Sequence, residues 1–204
     1  ALHGDKTGGI IPLCGTAKTT TQNWITLEGC KLALQSDVNY NNGDYISPPK
    51  KGLKAFSRNY TSTLFDKEGY EEGLHLNLFD GFEDTESYLD YMDAFFGSID
   101  ANDLLGMLNT WQMGDIGKHE KFSNNTKEAL ANINCPALVM PSSTDLSFPA
   151  RNNIPEVKVM PNAELRVINT KYGHLAGGMS TALTSQEDVI FIDKNIREFL
   201  KKIT

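Results

Sequence analysis

Ala137-Leu138-Val139-Met140-Pro141-Ser142-Ser143-Thr144-Asp145-Leu146-Ser147-Phe148-Pro149 opens with a short, unbroken apolar run and ends on a proline placed for the first turn of a helix. Four apolar residues without alternation fit a parallel strand covered on both faces. Proline is favoured at a helix start because the N–H it lacks is one the helix leaves unbonded there. Further along, Leu165-Arg166-Val167-Ile168 repeats the strand pattern. Val189, Ile192, Ile196, Phe199, Leu200 and Ile203 then share one face of a closing helix, and Lys201-Lys202 suit the negative end of its dipole. Strand, helix, strand, helix is the alternation of an α/β fold with a mostly parallel sheet.

Toward the N-terminus, Ile10-Ile11-Pro12-Leu13-Cys14 reads as another short buried strand, although Pro12 weakens its ladder. Between these strands the period changes. Thr21 is placed to cap a helix carrying Trp24, Leu27, Leu32 and Leu34, and Asn41-Asn42-Gly43-Asp44 is a turn. Leu53, Phe56, Tyr60 and Leu64 mark a second helix, Tyr88 to Phe96 a third, and Leu104, Leu105, Leu108 and Trp111 a fourth that starts at Asp100 or Asn102. A polar stretch from Glu68 to Asp84 separates them. The chain thus divides into an α/β core, residues 1–15 and 133–204, and a helical insertion, residues 16–132, that reads as a lid. Trp24, Phe56, Trp111 and the Tyr88 to Phe96 cluster are expected in the core of that insertion.

The balance of 19 Lys and Arg against 26 Asp and Glu gives a net charge of −7, and no basic stripe is present, which argues against a nucleic-acid partner. No apolar run reaches the roughly 20 residues needed to span a bilayer, and the opening residues lack the features of a secretion signal. Cys14, Cys30 and Cys135 are odd in number and widely spaced, so neither a disulfide framework nor a metal site is read from them and a cytoplasmic setting is expected. No paired-ligand spacing among His3, His75, His119 and His174 points to a metal, and His3, His75 and His119 are expected to be solvated. No bound cofactor is expected.

Ligands and catalytic groups of open α/β sheets gather beyond the carboxyl ends of the strands. Asp145 follows the first strand of the C-terminal third, and His174, within Tyr172-Gly173-His174-Leu175-Ala176-Gly177-Gly178, follows the second. An acid and then a histidine complete the second half of the order Ser, Asp, His. In that chemistry the carboxylate holds the imidazole's tautomer while the imidazole moves protons. Asp145 is also placed to cap the helix at Pro149, with Ser147 competing, and His174 reads equally as a loop histidine bonded to the backbone. The G-x-S-x-G nucleophile turn is absent from the 204 residues; Gly97-Ser98 and Gly178-Met179-Ser180 lack its second glycine. Gly4-Asp5-Lys6-Thr7-Gly8-Gly9 is not a phosphate-binding loop, since its Lys-Thr precedes a strand rather than a helix.

Four blocks taken together carry a resemblance: Ile11 to Thr19, Asn102 to Asp115, Met140 to Pro149 and Tyr172 to Gly178. In order and over nearly the whole chain, they resemble the homoserine O-acetyltransferase-like family of α/β-hydrolase-fold acyltransferases. The resemblance implies the C-terminal part of that fold with a large helical lid, and it implies that Asp145 and His174 are the acid and base of a Ser-His-Asp triad. It further implies that the serine lies just before residue 1, in a missing N-terminal segment or a second chain, with Ala1-Leu2-His3 belonging to the helix after it. Homoserine-specific members place an aspartate after the histidine to hold the substrate's amino group, whereas this sequence has Leu175, which cannot pair with an ammonium.

The leading expectation is therefore an acyltransferase that moves an acyl group from acetyl-CoA or another acyl-CoA to a small alcohol, the lid limiting water. An esterase with the same triad is the alternative. A third is a catalytically silent partner subunit, whose uncovered sheet edge favours association with another chain or with itself.

Overall fold

The structure, a computed structural model, describes residues 1–203. In chain order the helices are α1 (Thr21–Gln35), α2 (Lys50–Thr61), α3 (Lys67–Glu71), α4 (Thr85–Gly97), α5 (Ala101–Gln112), α6 (Thr126–Ala131), α7 (Ala150–Val159) and α8 (Gln186–Ile203). The strands are β1 (Tyr40–Asn41), β2 (Asp44–Tyr45), β3 (Ala137–Val139) and β4 (Ala163–Leu165). They form two compact units. The first comprises Ala1–Lys18, Leu64–Asp80 and Asp115–Thr204, the second Thr19–Thr63 and Gly81–Gly114.

In the first unit β3 and β4 are parallel, with Ala137 opposite Ala163 and Val139 opposite Leu165. The Ile10 to Cys14 segment runs parallel on the other side of β3, through Ile10 N–H to Pro136 O and Cys14 N–H to Met140 O. Between those bonds Pro12 has no N–H to donate, so the segment makes isolated bridges at Ile10 and Leu13 instead of a continuous ladder. Pro141 interrupts the other side in the same way. The second strand begins at Ala163, earlier than the expected Leu165, where Ala137 N–H donates to Asn162 O, and past Leu165 its pairing survives as a bridge between Ser142 and Ile168.

All three residues of β3 are buried, as a strand covered on both faces requires. Leu138 and Met140 point one way, into a cluster with Cys14, Ile168, Ala176, Ile192 and Phe199, the last two from α8. Ala137 points the other way, toward Leu130, Ile133, Cys135 and Met160. The alternation is the two-residue period of a strand, and each large side chain so enclosed contributes about 1.5–3 kcal/mol.

Residues 64–80 and 115–132, expected in the helical insertion, group with the strands. Main-chain bonds and apolar packing both hold them there: Leu64 O accepts from His174 N–H, Phe79 N–H donates to Ala182 O and Ile116 N–H donates to Ala17 O, while Phe65 meets Tyr172 and Leu130 joins the cluster around Ala137.

The second unit is helical apart from the β1–β2 hairpin, which turns at Asn42 and Gly43, both with positive φ. Thr20, rather than Thr21, caps α1: its backbone is extended and its hydroxyl accepts from Asn23 N–H at 3.1 Å. Phe56 of α2 meets Phe96 of α4 edge-on at 5.1 Å, and Arg58 pairs with Glu86 and Asp93 across the same two helices. Phe56, Tyr88 and Phe96 are buried as expected, but Trp24 and Phe95 are exposed. The buried stripe of α1 is Asn23, Leu27, Cys30 and Leu34, and Trp24 lies one residue, about 100°, off it.

Candidate functional site: an enclosed aspartate and a histidine after successive strands

Asp145 sits in the loop after β3 with its side chain wholly enclosed. One carboxylate oxygen, Oδ1, accepts from Ser147 N–H at 2.8 Å and Phe148 N–H at 2.9 Å. This turn delivers the chain to α7, whose N-cap, Pro149, has no side-chain cap of its own. The other oxygen, Oδ2, lies 2.8 Å from His174 Nδ1. Turn formation and the partnership with histidine, competing readings of Asp145 in the sequence, are served by different oxygens.

His174 stands on the 3₁₀ turn Gly173–Gly178 that follows the second strand. Its N–H donates to Leu64 O at 2.9 Å. Gly173 has φ +53, and a Cβ there would lie 2.3 Å from the same carbonyl, so only glycine fits at this step. The imidazole leans on Phe148, ring centroids 5.4 Å apart, and remains 31 % exposed. A carboxylate oxygen accepts hydrogen bonds, so the proton lies on Nδ1, and Nε2 is left as the nitrogen that can take up and return a proton.

Beneath the pair lies Cys14, buried and with φ +44. Burial, and after it the charge of Asp145, pushes its thiol up to about 11, while the N–H groups of Ser142 and Gly177 bonded to the sulfur pull the other way. A thiol so held is a packing group rather than a nucleophile. Phe148 and Cys14 had no distinguishing pattern in the sequence; their proximity to the pair comes from the parallel register.

The remaining candidates serve local structure. Ser98 Oγ donates to Phe95 O at the end of α4, and Ser180 Oγ accepts from Ala182 N–H; both hydroxyls serve local turns. Residues 1–3, which the resemblance assigned to a helix, are not helical, and Gly4–Lys6 is a single 3₁₀ turn. Gly9 packs against α8, where a Cβ would meet Ile203 at 2.8 Å. His3 and His119 are exposed, but His75, expected in solvent, is buried against Tyr70, and burial lowers its pKa. Among the described residues no group of three or more His, Cys, Asp or Glu side chains could hold a metal ion, and no helix is long and apolar enough to cross a membrane.

A parallel sheet flanked by helices, with an acid after one strand and a histidine after the next, defines a part of the α/β-hydrolase fold. The chain's relatives carry that fold. It is 32% identical over 200 residues to a probable esterase of Corynebacterium glutamicum, covering 97% of this chain and 55% of that protein. It is 30% identical over 166 residues to an ethyl acetate hydrolase of Pseudomonas veronii, covering 80% and 46%, and 23% identical over 190 residues to a homoserine O-acetyltransferase of Chlorobaculum parvum, covering 91% and 52%. The crystal structure of an acetylester hydrolase from Corynebacterium glutamicum superposes with a TM-score of 0.87 at 31% identity, over 98% of this chain and 56% of that one. No family model matches the chain. The chain spans about half the length of the curated relatives it matches. Its homologues thus include esterases and homoserine O-acetyltransferases of the α/β-hydrolase fold.

Proposed function

We propose that these residues supply the acid and base of a carboxylic-ester hydrolase acting on small acetate esters, its nucleophilic serine contributed by polypeptide outside residues 1–204. The 2.8 Å contact between Asp145 Oδ2 and His174 Nδ1 carries this reading. The likeness to an ethyl acetate hydrolase and to an acetylester hydrolase supports the substrate class.

In this reading Asp145 fixes the Nδ1–H tautomer of His174, and Nε2 removes the proton from the serine hydroxyl as its oxygen attacks the ester carbonyl. The same nitrogen returns that proton to the departing alcohol, leaving an acyl-serine. Water then gives a proton to Nε2 and its oxygen to the acyl carbon; the carboxylic acid leaves, and the proton goes back to the serine. The half-exposed imidazole suits exchange with groups on its outer side.

Acyl transfer from an acyl-CoA to an alcohol is the second reading, supported by the homoserine O-acetyltransferase relatives. Leu175 sits where an ammonium-holding carboxylate would be wanted, so homoserine is not the acceptor we propose. The three cysteines are free and buried, which fits a reducing, cytoplasmic setting, and no bound metal or organic cofactor enters the proposal. The discriminating experiment supplies the serine-bearing enzyme with ethyl acetate in water, and with acetyl-CoA with and without added alcohol. Ester turnover in water alone supports hydrolysis. CoA release that depends on the alcohol, without ester hydrolysis, would replace it with transfer.

A further inference from the structure

The last β contact between the segments that carry Asp145 and His174 is the bridge between Ser142 and Ile168. Beyond it hydroxyl groups, not a ladder, hold the two loops together. Ser143 Oγ and Thr144 Oγ1 both donate to Thr170 O, at 3.1 and 3.0 Å. In return Thr170 N–H donates to Ser143 Oγ at 3.1 Å and Gly173 N–H to Thr144 Oγ1 at 3.2 Å. The two residues before Asp145 thereby clasp the main chain that leads into His174.

A deeper group orients this clasp. The Thr170 hydroxyl donates to Asp188 Oδ2 at 2.6 Å and accepts from Tyr172 N–H at 3.1 Å. Asp188 is 5 % exposed and lies in the first turn of α8, where the helix dipole favours an acidic side chain. The same oxygen accepts from the Thr184 hydroxyl at 2.5 Å. A threonine hydroxyl rotates freely unless something fixes it. With its proton committed to Asp188, Thr170 turns its lone pairs to Tyr172 N–H, tying residues 170 and 172 of the loop to one group.

We propose that Asp188 is a positioning residue for the Asp145–His174 pair: through Thr170 it locks the histidine loop onto Ser143 and Thr144 and so sets the distance between the carboxylate and the imidazole. This rests on the reading of that pair as the working acid and base. Catalytic groups must be held within about 0.5 Å of their productive placement, and shells of supporting hydrogen bonds do that work.

The test needs neither the serine nor turnover. In the ¹⁵N-histidine-labelled chain, the hydrogen-bonded Nδ1 proton of His174 is followed by NMR, assigned through its loss in His174→Gln. Thr170→Val keeps the shape and removes the hydroxyl, Thr170→Ser restores the hydroxyl, and Asp188→Ala removes the carboxylate; circular dichroism checks that each is folded. The expected result is solvent exchange of that proton about tenfold faster in Thr170→Val and Asp188→Ala, the worth of one hydrogen bond to a charged group, with recovery in Thr170→Ser. If Asp188→Ala does not fold, the Thr170 pair decides. Unchanged exchange in folded Thr170→Val overturns the proposal, as does absence of the resonance from the unsubstituted chain. Full activity of His174→Ala in the serine-bearing enzyme would instead overturn the functional reading, whatever the resonance shows.

Discussion

Asp145 divides its carboxylate between two tasks: Oδ1 closes the turn into α7 through Ser147 and Phe148, and Oδ2 faces His174 Nδ1 at 2.8 Å. The two tasks reinforce one another, because the turn fixes the rotation of the carboxylate and leaves its second oxygen aimed at the imidazole. A carboxylate with both oxygens occupied has little freedom to release the histidine.

Asp145→Asn should keep the turn, since its amide oxygen can still accept from Ser147 and Phe148, yet place an N–H donor or the wrong tautomer against His174. The expected outcome in the serine-bearing enzyme is a fall in kcat of about 10,000-fold with a near-native melting temperature. Ester hydrolysis rates together with thermal denaturation check it.

Gly173→Ala should be destabilising out of proportion to one methyl group. The residue has φ +53, where a side chain costs about 1–2 kcal/mol, and its Cβ would sit 2.3 Å from Leu64 O. The chain must move at the step before His174, so the NMR signal of the Nδ1 proton should be lost along with stability. A melting curve and that resonance, measured on the same sample, test both.

Cys14 and Cys30 should resist alkylation in the native protein. Burial raises both thiols to about 11, with the charge of Asp145 adding to the effect at Cys14. At pH 8 only about one part in a thousand of either is thiolate, so modification should follow unfolding. Mass spectrometry after iodoacetamide, with and without denaturant, reads the difference.

Acidification should weaken the fold through carboxylates held below their ordinary range. Asp37 is lowered by the N–H of Asn39, outweighing its burial, with Gly52 N–H at 2.8 Å adding to it. At Asp115 burial works upward and is outweighed by Lys18, the Thr126 hydroxyl and Gly117 N–H. A lowered native pKa means stability that is complete above the unfolded value, about pH 4, and is lost as pH falls through the native one. Asp37→Asn should therefore lose stability at neutral pH and show a shallower acid limb, as urea midpoints between pH 7 and pH 2.5 will report.

What the sequence made legible was what repeats or stands at a strand end. The unbroken run at Ala137 to Met140, the periodic face of α8 and the order of Asp145 and His174 could be read directly. Pro12 and Pro141 hid how far the parallel pairing extends, because a missing N–H breaks the ladder without breaking the direction of the chain. Residues 64–80 join the strand-bearing unit through main-chain bonds and through single contacts such as Phe65 on Tyr172, which leave no trace in side-chain periodicity. The burial of His75 and the exposure of Trp24 depend on what packs beside them. Nothing in the sequence sets Asp188 apart, and only the fold brings Thr170 and Thr184 to its oxygen.

Fluorophosphonate labelling tests the central claim most directly, applied to the serine-bearing enzyme proposed above and located by peptide mass spectrometry. The predicted result is a single phosphonylated serine outside residues 1–204, with labelling lost in His174→Ala. Labelling that persists in His174→Ala, or that falls on a residue within the 204, would contradict the assignment of Asp145 and His174 as the acid and base of an ester-cleaving site.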